Sequence, residues 1–583
     1  MLVSRKDEKK VPSVRSNNST QENALLDIAQ KRFKDAKTEK TDFRNKPLHD
    51  NWKRYDQIYR GKQWFQPVAP DRSMPVLNFT RSIVDSLVPR LSSNQPKVLV
   101  RPRMSPEDGR LAELVGSALD YLWYWNQMQE STLREVITQM LKYGTSIIKT
   151  TWDPTVWDGV GEVRYSCVHP MNFFNDPRAY RITDMEYCFV RTPKPLEYFL
   201  RNYPNKGHLV VADHDWWEVE DLEGRGETGN EEQATLTEYW FKDTNGIVSV
   251  MYYSGDVVLD IMGGEYDSNP ELKELPVYGH NKFPFTKVCD YNNDKEFWGT
   301  GEIELVEVLQ NLINAYEAQI IDNTRLMGNA QWVVNKALSG LSEEDAWIFD
   351  NTPGRVVFTH NDGVRREPGV PIPHHIPEHL ERLIHWLEQI TGVFDVVQGR
   401  RPVGVRAASA IIALQEAASI RVQEKAENLG SAIRDISEQA ITLMLEHYDE
   451  PRMVRIAGDD VPTTLDVRAA LEERVVDMAK AAGMEQVFEM EQEISPEDQQ
   501  ALMDEIMEEI KFPEFDISID VGPSIPYSQA LLYEQAKEFY SLGIIDREAV
   551  LEVTGFPNKE EILARLGAME EQAEEERIGE RTF

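Results

Sequence analysis

The chain reads as an α+β protein that is predominantly helical, and three observations predict this. Three long segments of helical apolar periodicity fall within Gly299 to Tyr448. From Thr145 the apolar period shortens into strand-like runs, and a turn signal, Asn245-Gly246, separates two of them. Helices come first and antiparallel strands follow, the order of an α+β domain rather than of alternating parallel units.

Met1 to Arg44 is polar, lysine-rich and almost without aromatics, and is expected to be a flexible arm with a short helix near Leu25 to Phe33. Regular structure is expected from Trp52, where Trp52, Tyr55 and Tyr59 share a helical face and Gly61 is a stop. Asn78 to Leu91 is a second helix, and Val98 to Arg101 a short strand. Pro106 to Leu141 is strongly helical, with Leu111, Leu114, Ala118, Leu122 and Trp125 in phase, and ends at Tyr143-Gly144. Strands are expected at Ile147 to Trp152, Gly161 to Val168 and Glu186 to Arg191, with a Pro- and Asn-rich turn at Pro170 to Pro177. A short helix, Pro195 to Asn202, and an acidic loop, Leu222 to Ala234, lead into a hairpin of Thr235 to Lys242 and Ile247 to Tyr253, then a strand at Val257 to Met262.

The first central helix, Glu302 to Asn329, aligns Leu305, Leu309, Leu312, Tyr316 and Ile320. The second, Pro377 to Thr391, aligns Leu380, Leu383, Leu387 and Ile390. Between them Gln331 to Pro373 is a small β insertion, with strands at Trp332 to Val334 and Val356 to Phe358. The third helix, Ala408 to Tyr448, carries Val422, Ala426, Leu429, Ile433, Ile436, Ala440 and Leu443, and spans roughly 60 Å at 1.5 Å per residue. A Gly-bounded loop bearing Gln398, Arg400, Arg401 and Arg406 joins the second and third helices, longer than two packed helices need. Beyond Tyr448 the chain offers strands at Met453 to Ile456 and Ile517 to Val521 among acidic helices, and a glutamate-rich end.

The 583 residues are 41% hydrophobic and 28% charged, enough for several domains with a real core. No apolar run reaches membrane-spanning length, the first ten residues lack a secretory apolar core, and Cys167, Cys188 and Cys289 form no C-x-x-C pair, so intracellular assembly without disulfides is expected. The net charge is −36, and Asp449 to Phe583 alone holds 34 acids against 12 bases. Such a chain does not grip nucleic acid tightly, because grip comes from cations that displace counterions. Acidity serves solubility and mutual repulsion, or a surface that DNA passes without sticking.

Catalytic signatures are missing: no phosphate-binding glycine loop and no nucleophile elbow occur. His375 and His379 lie four apart, and Asp213-His214-Asp215 clusters donors, but neither forms a recognisable metal motif. Glu343-Glu344-Asp345 reads as a solvated face or helix start. The loop arginines are either partners of nearby acids or movable cations that touch phosphates transiently.

The order of Trp52 to Trp64, Asn94-Gln95-Pro96, Tyr143-Gly144, the Pro170 to Pro177 turn, Phe297-Trp298-Gly299-Thr300-Gly301 and Ile390-Thr391-Gly392 with its following loop and long helix resembles the portal proteins of tailed double-stranded-DNA phages, the head-to-tail connectors, and most closely the larger portals of short-tailed phages. The resemblance covers nearly all of Trp52 to Gly567. It implies, after an arm at 1–44, a wing at 45–293, stem helices at 294–330 and 374–391, a clip at 331–373, a tunnel loop at 392–407, a long wing helix at 408–448, an acidic crown at 449–567 and a frayed tail at 568–583. No C-terminal repeat long enough for the barrel of some relatives is seen. Gln398, Arg400, Arg401 and Arg406 would face DNA; Glu343, Glu344, Asp345, Arg365 and Arg366 would meet partners at the clip; Glu304, Glu307, Asn311 and Asn314 would line the stem channel.

The resemblance further implies a dodecameric ring at a capsid vertex of the virion, assembled in the host cytoplasm. Its partners would be viral double-stranded DNA, the terminase large subunit, head-completion or tail adaptors, and the major capsid and scaffolding proteins. It would use no cofactor or membrane, and ATP hydrolysis would belong to the motor. The alternatives are a metal-dependent nucleic-acid-processing enzyme built on scattered carboxylates, or a structural tail or scaffold subunit.

Overall fold

The computed structural model describes residues 19–42, 45–66, 72–93, 96–103, 108–213, 232–267, 269, 273, 275–328, 332–344, 347, 363–366, 371–392, 408–448, 452–454, 463–470, 515–520, 536–546 and 550. The chain divides into a unit of Met1–Val405 with Arg421–Val521 and a second of Arg406–Ile420 with Gly522–Phe583. The first unit carries almost all of the described structure.

It begins with helices α1 (Thr20–Glu39), α2 (Leu48–Tyr59) and α3 (Phe79–Ser92), strand β1 (Lys97–Pro102), α4 (Gly109–Trp125), a π-helical turn at Met128–Thr132 and α5 (Leu133–Tyr143). Strands β2 (Thr145–Asp153), β3 (Glu162–Val168), β4 (Phe173–Asn175) and β5 (Tyr187–Pro195) follow, then α6 (Leu196–Asn202), β6 (Gln233–Lys242), β7 (Val248–Ser254), β8 (Val257–Met262) and β9 (Phe285–Cys289). Next come α7 (Glu302–Gly328), β10 (Trp332–Val334), α8 (Lys336–Ser339), β11 (Val364–Arg366), α9 (His375–Thr391) and α10 (Ala408–His447). Strands β12 (Arg452–Val454), β13 (Thr463–Leu465) and β14 (Phe515–Asp520) complete the order.

Two antiparallel sheets form the β layer. One has five strands in the order β4-β5-β6-β7-β8, the other three in the order β3-β2-β9. The Lys149 ammonium on β2 reaches 2.6 Å to Glu238 on β6, which also accepts from Trp240 Nε1, so a half-buried ion pair joins the two sheets. The expected hairpin is present, with Gly246 at φ 79° in its turn.

The N-terminal segment departs from expectation. Residues 20–39 are not a flexible arm: Ser19 and Glu22 cap α1 reciprocally. Leu25, Leu26, Ala29 and Ala36 bury against Phe174, Phe189, Tyr239 and Met251 of the five-stranded sheet. At the helix end Lys40 is buried, donates at 2.7 Å to the carbonyls of Pro170 and Phe173, and lies 4.4–4.8 Å from the ring centres of Trp52, Phe174 and Trp298. Regular structure therefore starts about thirty residues before Trp52.

A second departure concerns the acidic C-terminal region. Strand β14 pairs antiparallel with β1, Lys97 opposite Asp520 and Pro102 opposite Phe515, so residues 515–520 belong to the first unit rather than to a separate region running from 449. In the insertion, β10 pairs with β11; the strand expected at Val356 to Phe358 and the acidic loop at 222–231 lie outside the described residues.

The Phe297-to-Gly301 motif has a steric explanation. Helix α5 stops at Gly144 in the left-handed conformation (φ 83°), and a Cβ there would lie 2.1 Å from the Gly299 carbonyl oxygen. A Cβ on Gly301 would meet the Gly144 nitrogen and the Leu141 carbonyl at 2.7 Å. Two backbones thus touch where α7 begins. We expect Gly144→Ala to cost at least about 2 kcal/mol, combining left-handed strain of about 1–2 with overpacking of about 1–3. Thermal unfolding of the variant checks this, and an unchanged melting temperature would contradict it.

Candidate functional site

The base of α7 is held by a buried ionic centre. Lys425 of α10 pairs with Asp290, which follows β9, and at 2.9 Å with Glu302 in the first turn of α7. All three side chains are at most 1% exposed. The Lys425 ammonium also sits 3.8 Å from the centre of the Tyr291 ring, whose hydroxyl donates to Glu302 at 3.1 Å. Asn428, one turn along α10, donates to the Cys289 and Asp290 carbonyls. Burial, the largest influence, pushes the Asp290 carboxyl up to about 7 against the pull of Lys425. Burial lowers Lys425, but its two carboxylates more than offset this and hold it protonated.

Helix α7 packs against α2, α3, α5 and α9. Its inner face is Ile303, Val306, Gln310, Ile313 and Asn314, all buried. Its outer face carries Leu305, Val308 and Leu312 at helical spacing, 38%, 68% and 41% exposed. Helix α9 behaves alike: Leu383 and Leu387 are buried, while Trp386 and Ile390 are exposed. Both helices therefore have apolar residues on two faces, where the single stripe expected for α7 joined exposed Leu305 and Leu312 to half-buried Leu309, Tyr316 and Ile320 and left out the buried Ile303, Val306 and Ile313.

The four residues expected to line a stem channel fall out differently. Asn314 is 2% exposed: it donates to Gln63 at 2.5 Å and accepts from the Leu77 amide and from Gln310. It ties Gln63 and Leu77 to α7, so its side chain faces the subunit's interior rather than a channel. Glu307 is half-buried and pairs with Arg54 at 2.7 Å. Burial raises the Glu304 carboxyl, which bonds Tyr55 and faces Asp42, Glu307 and Glu296. Asn311 is half-buried.

In the insertion, Arg365 stands opposite Val333 and Arg366 opposite Trp332. Glu343 is exposed and pairs with Lys336, Glu344 is exposed beside it, and Asp345 lies outside the described residues. So do Gln398, Arg400, Arg401 and Arg406. His379 packs against Tyr316 and Trp386, and Asp213 accepts from the Thr235 amide and hydroxyl. Among the described residues no group of three or more His, Cys, Asp or Glu is placed to hold a metal ion, and no helix is long and apolar enough to cross a membrane.

Sequence reasoning missed the ionic centre, although a signal was present. Lys425 lies on the buried stripe of α10 between Val422 and Leu429, where a charge needs a partner.

The model of the family described as phage P22-like portal protein matches residues 30–581 of the chain. A comparison with curated proteins found no match.

The centre yields two expectations. Lys425→Met leaves the carboxylates without their cation and should cost about 3–5 kcal/mol. Asp290 binds its proton more tightly in the folded chain than in the unfolded one. Its contribution to stability is thus fully present below its ordinary range near 3.8 and lost as pH rises through about 7. Asp290→Asn should therefore flatten the fall in stability between pH 4 and 7. Denaturant titrations of both chains across that window check this, and parallel curves would contradict it.

Proposed function

The chain belongs to the phage P22-like portal protein family, and we propose that its copies close into a dodecameric ring at one capsid vertex, through which double-stranded viral DNA enters during packaging and leaves at ejection. Family membership carries the phage portal role, that of a generally structural protein in a capsid-associated ring. The observation that supports the channel reading is the outer face of α7. Leu305, Val308 and Leu312 form an apolar stripe that one subunit leaves uncovered. Each interface of a cyclic ring joins two different surfaces, so one stripe per subunit meets a different surface on its neighbour and every copy is satisfied.

The finer assignments extend this reading. The wing spans 45–293, the stem helices 294–330 and 374–391, the clip 331–373, the tunnel loop 392–407 and the long wing helix 408–448. Glu304, Glu307 and Asn311 remain as polar wall residues beside the stripe. Acidic or neutral walls let a polyanion slide, since nothing there displaces its counterions. Gln398, Arg400, Arg401 and Arg406 supply weak phosphate contacts, multiplied by the number of copies. Glu343, Glu344, Asp345, Arg365 and Arg366 form the surface that docks the terminase large subunit and later the adaptors. Nucleotide hydrolysis is left to that motor.

Leu305→Asp with Val308→Asp tests the ring. Both positions are exposed in the subunit, so circular dichroism should stay unchanged while sedimentation shifts from a large ring to small species. A variant that sediments like the parent would contradict the role of the stripe. Arg400→Ala with Arg401→Ala should leave the ring intact and reduce packaged DNA. Loss of folding would make that loop structural instead.

A further inference from the structure

The end of α4 and the β2–β3 hairpin meet at a corner the portal reading does not use. Trp125 and Trp157 contact there, ring centres 4.9 Å apart and planes tilted by 38°. Trp157 is 54% exposed and Tyr124 68%, with Val160 beside them also exposed. The backbone around this pair is unusual. Of the six non-glycine residues with left-handed φ among the described residues, Gln127, Trp157 and Asp158 belong to this corner. The π-helical turn Met128–Thr132 follows directly. Two consecutive left-handed residues, one of them tryptophan, cost energy unless the surroundings enforce them.

The surroundings do enforce them. Asn126 donates to the Val163 carbonyl at 3.1 Å and accepts from the Tyr165 amide at 2.9 Å, stapling the end of α4 to β3. Asp153 accepts from the Thr155 amide and hydroxyl. Gly161 lies so close to the Trp152 ring that a Cβ would meet it at 2.3 Å. The corner is a rigid mount that holds a large aromatic side chain out in water.

We propose that this corner is a docking surface for another protein's basic segment that carries an apolar anchor. Preorganised tryptophans are efficient anchors because little side-chain freedom is lost on binding. The charges select the partner. The exposed acids of the corner are Glu130 and Asp158 against Arg134, because Asp153 and Arg164 neutralise each other at 3.2 Å. Such a rim repels nucleic acid and anionic membrane.

The test uses the full chain and a fluorescein-labelled amphipathic peptide of leucine and lysine, with a leucine–glutamate peptide as control. A cationic peptide can adhere anywhere on so acidic a protein, so the contrast between variants carries the result. Trp157→Gly should weaken binding at least tenfold in anisotropy titrations while the melting temperature stays the same or rises, because glycine relieves the left-handed strain. Asp158→Lys with Glu130→Lys, both exposed, should weaken binding comparably and reduce its salt dependence. The leucine–glutamate peptide should not bind. Equal affinity for Trp157→Gly and the parent would overturn the proposal. A lowered melting temperature for Trp157→Gly would make Trp157 a structural residue and overturn it too. A change in oligomeric state would assign the corner to a second copy and likewise refute it.

Discussion

The Lys425 ammonium, buried between Asp290 and Glu302 under the Tyr291 ring, is the interaction on which the arrangement of the long helices depends. It ties α10, the strand end after β9 and the first turn of α7 at one point. A buried ion pair adds little net stability over apolar packing, but it tolerates few alternatives, because any other register strands a charge away from water. Apolar stripes alone would allow α10 to slide by a turn. With Lys425 among Val422, Leu429 and Ile433, only one register brings the cation to its carboxylates.

The backbone contact beside that point has a similar consequence. Gly144, Gly299 and Gly301 let the end of α5 and the start of α7 approach within backbone distance. The direction of α7 is set where it starts, and its outer face is thereby presented away from the subunit's own core. The same helix meets two demands: Gln310 and Asn314 accept from the amides of Leu77, Phe79 and Thr80 inside, and Leu305, Val308 and Leu312 stay uncovered outside. In the proposed ring, the uncovered face is where one subunit ends and the next begins.

Long helices were legible in the sequence because a dozen or more residues share one period; α7, α9 and α10 were anticipated to within about two residues at each end. Strand β9 and the β1–β14 pairing were not. A five-residue strand between Pro284 and Asp290 has too few positions for a period, and β1 and β14 are separated by hundreds of residues, so only tertiary structure sets their register. The docking of α1 was missed because its buried contacts include two alanines in an otherwise polar sequence. Asn314 was misread for the opposite reason: an asparagine on an amphipathic helix is ordinarily solvated, and here other polar side chains receive it inside. The exposed stripe was half legible. Leu305 and Leu312 belong to the predicted periodicity, but which apolar residues face the subunit and which face outward depends on α2, α3 and α5, and no helix-local pattern encodes them.

Electron cryo-microscopy of the purified assembly shows whether the outer face of α7 lies between neighbouring copies. A closed ring with an axial hole is expected, in which Leu305, Val308 and Leu312 of each copy are covered by the adjacent copy. A ring that leaves those three side chains in water, or a particle consisting of a single compact subunit, would contradict it.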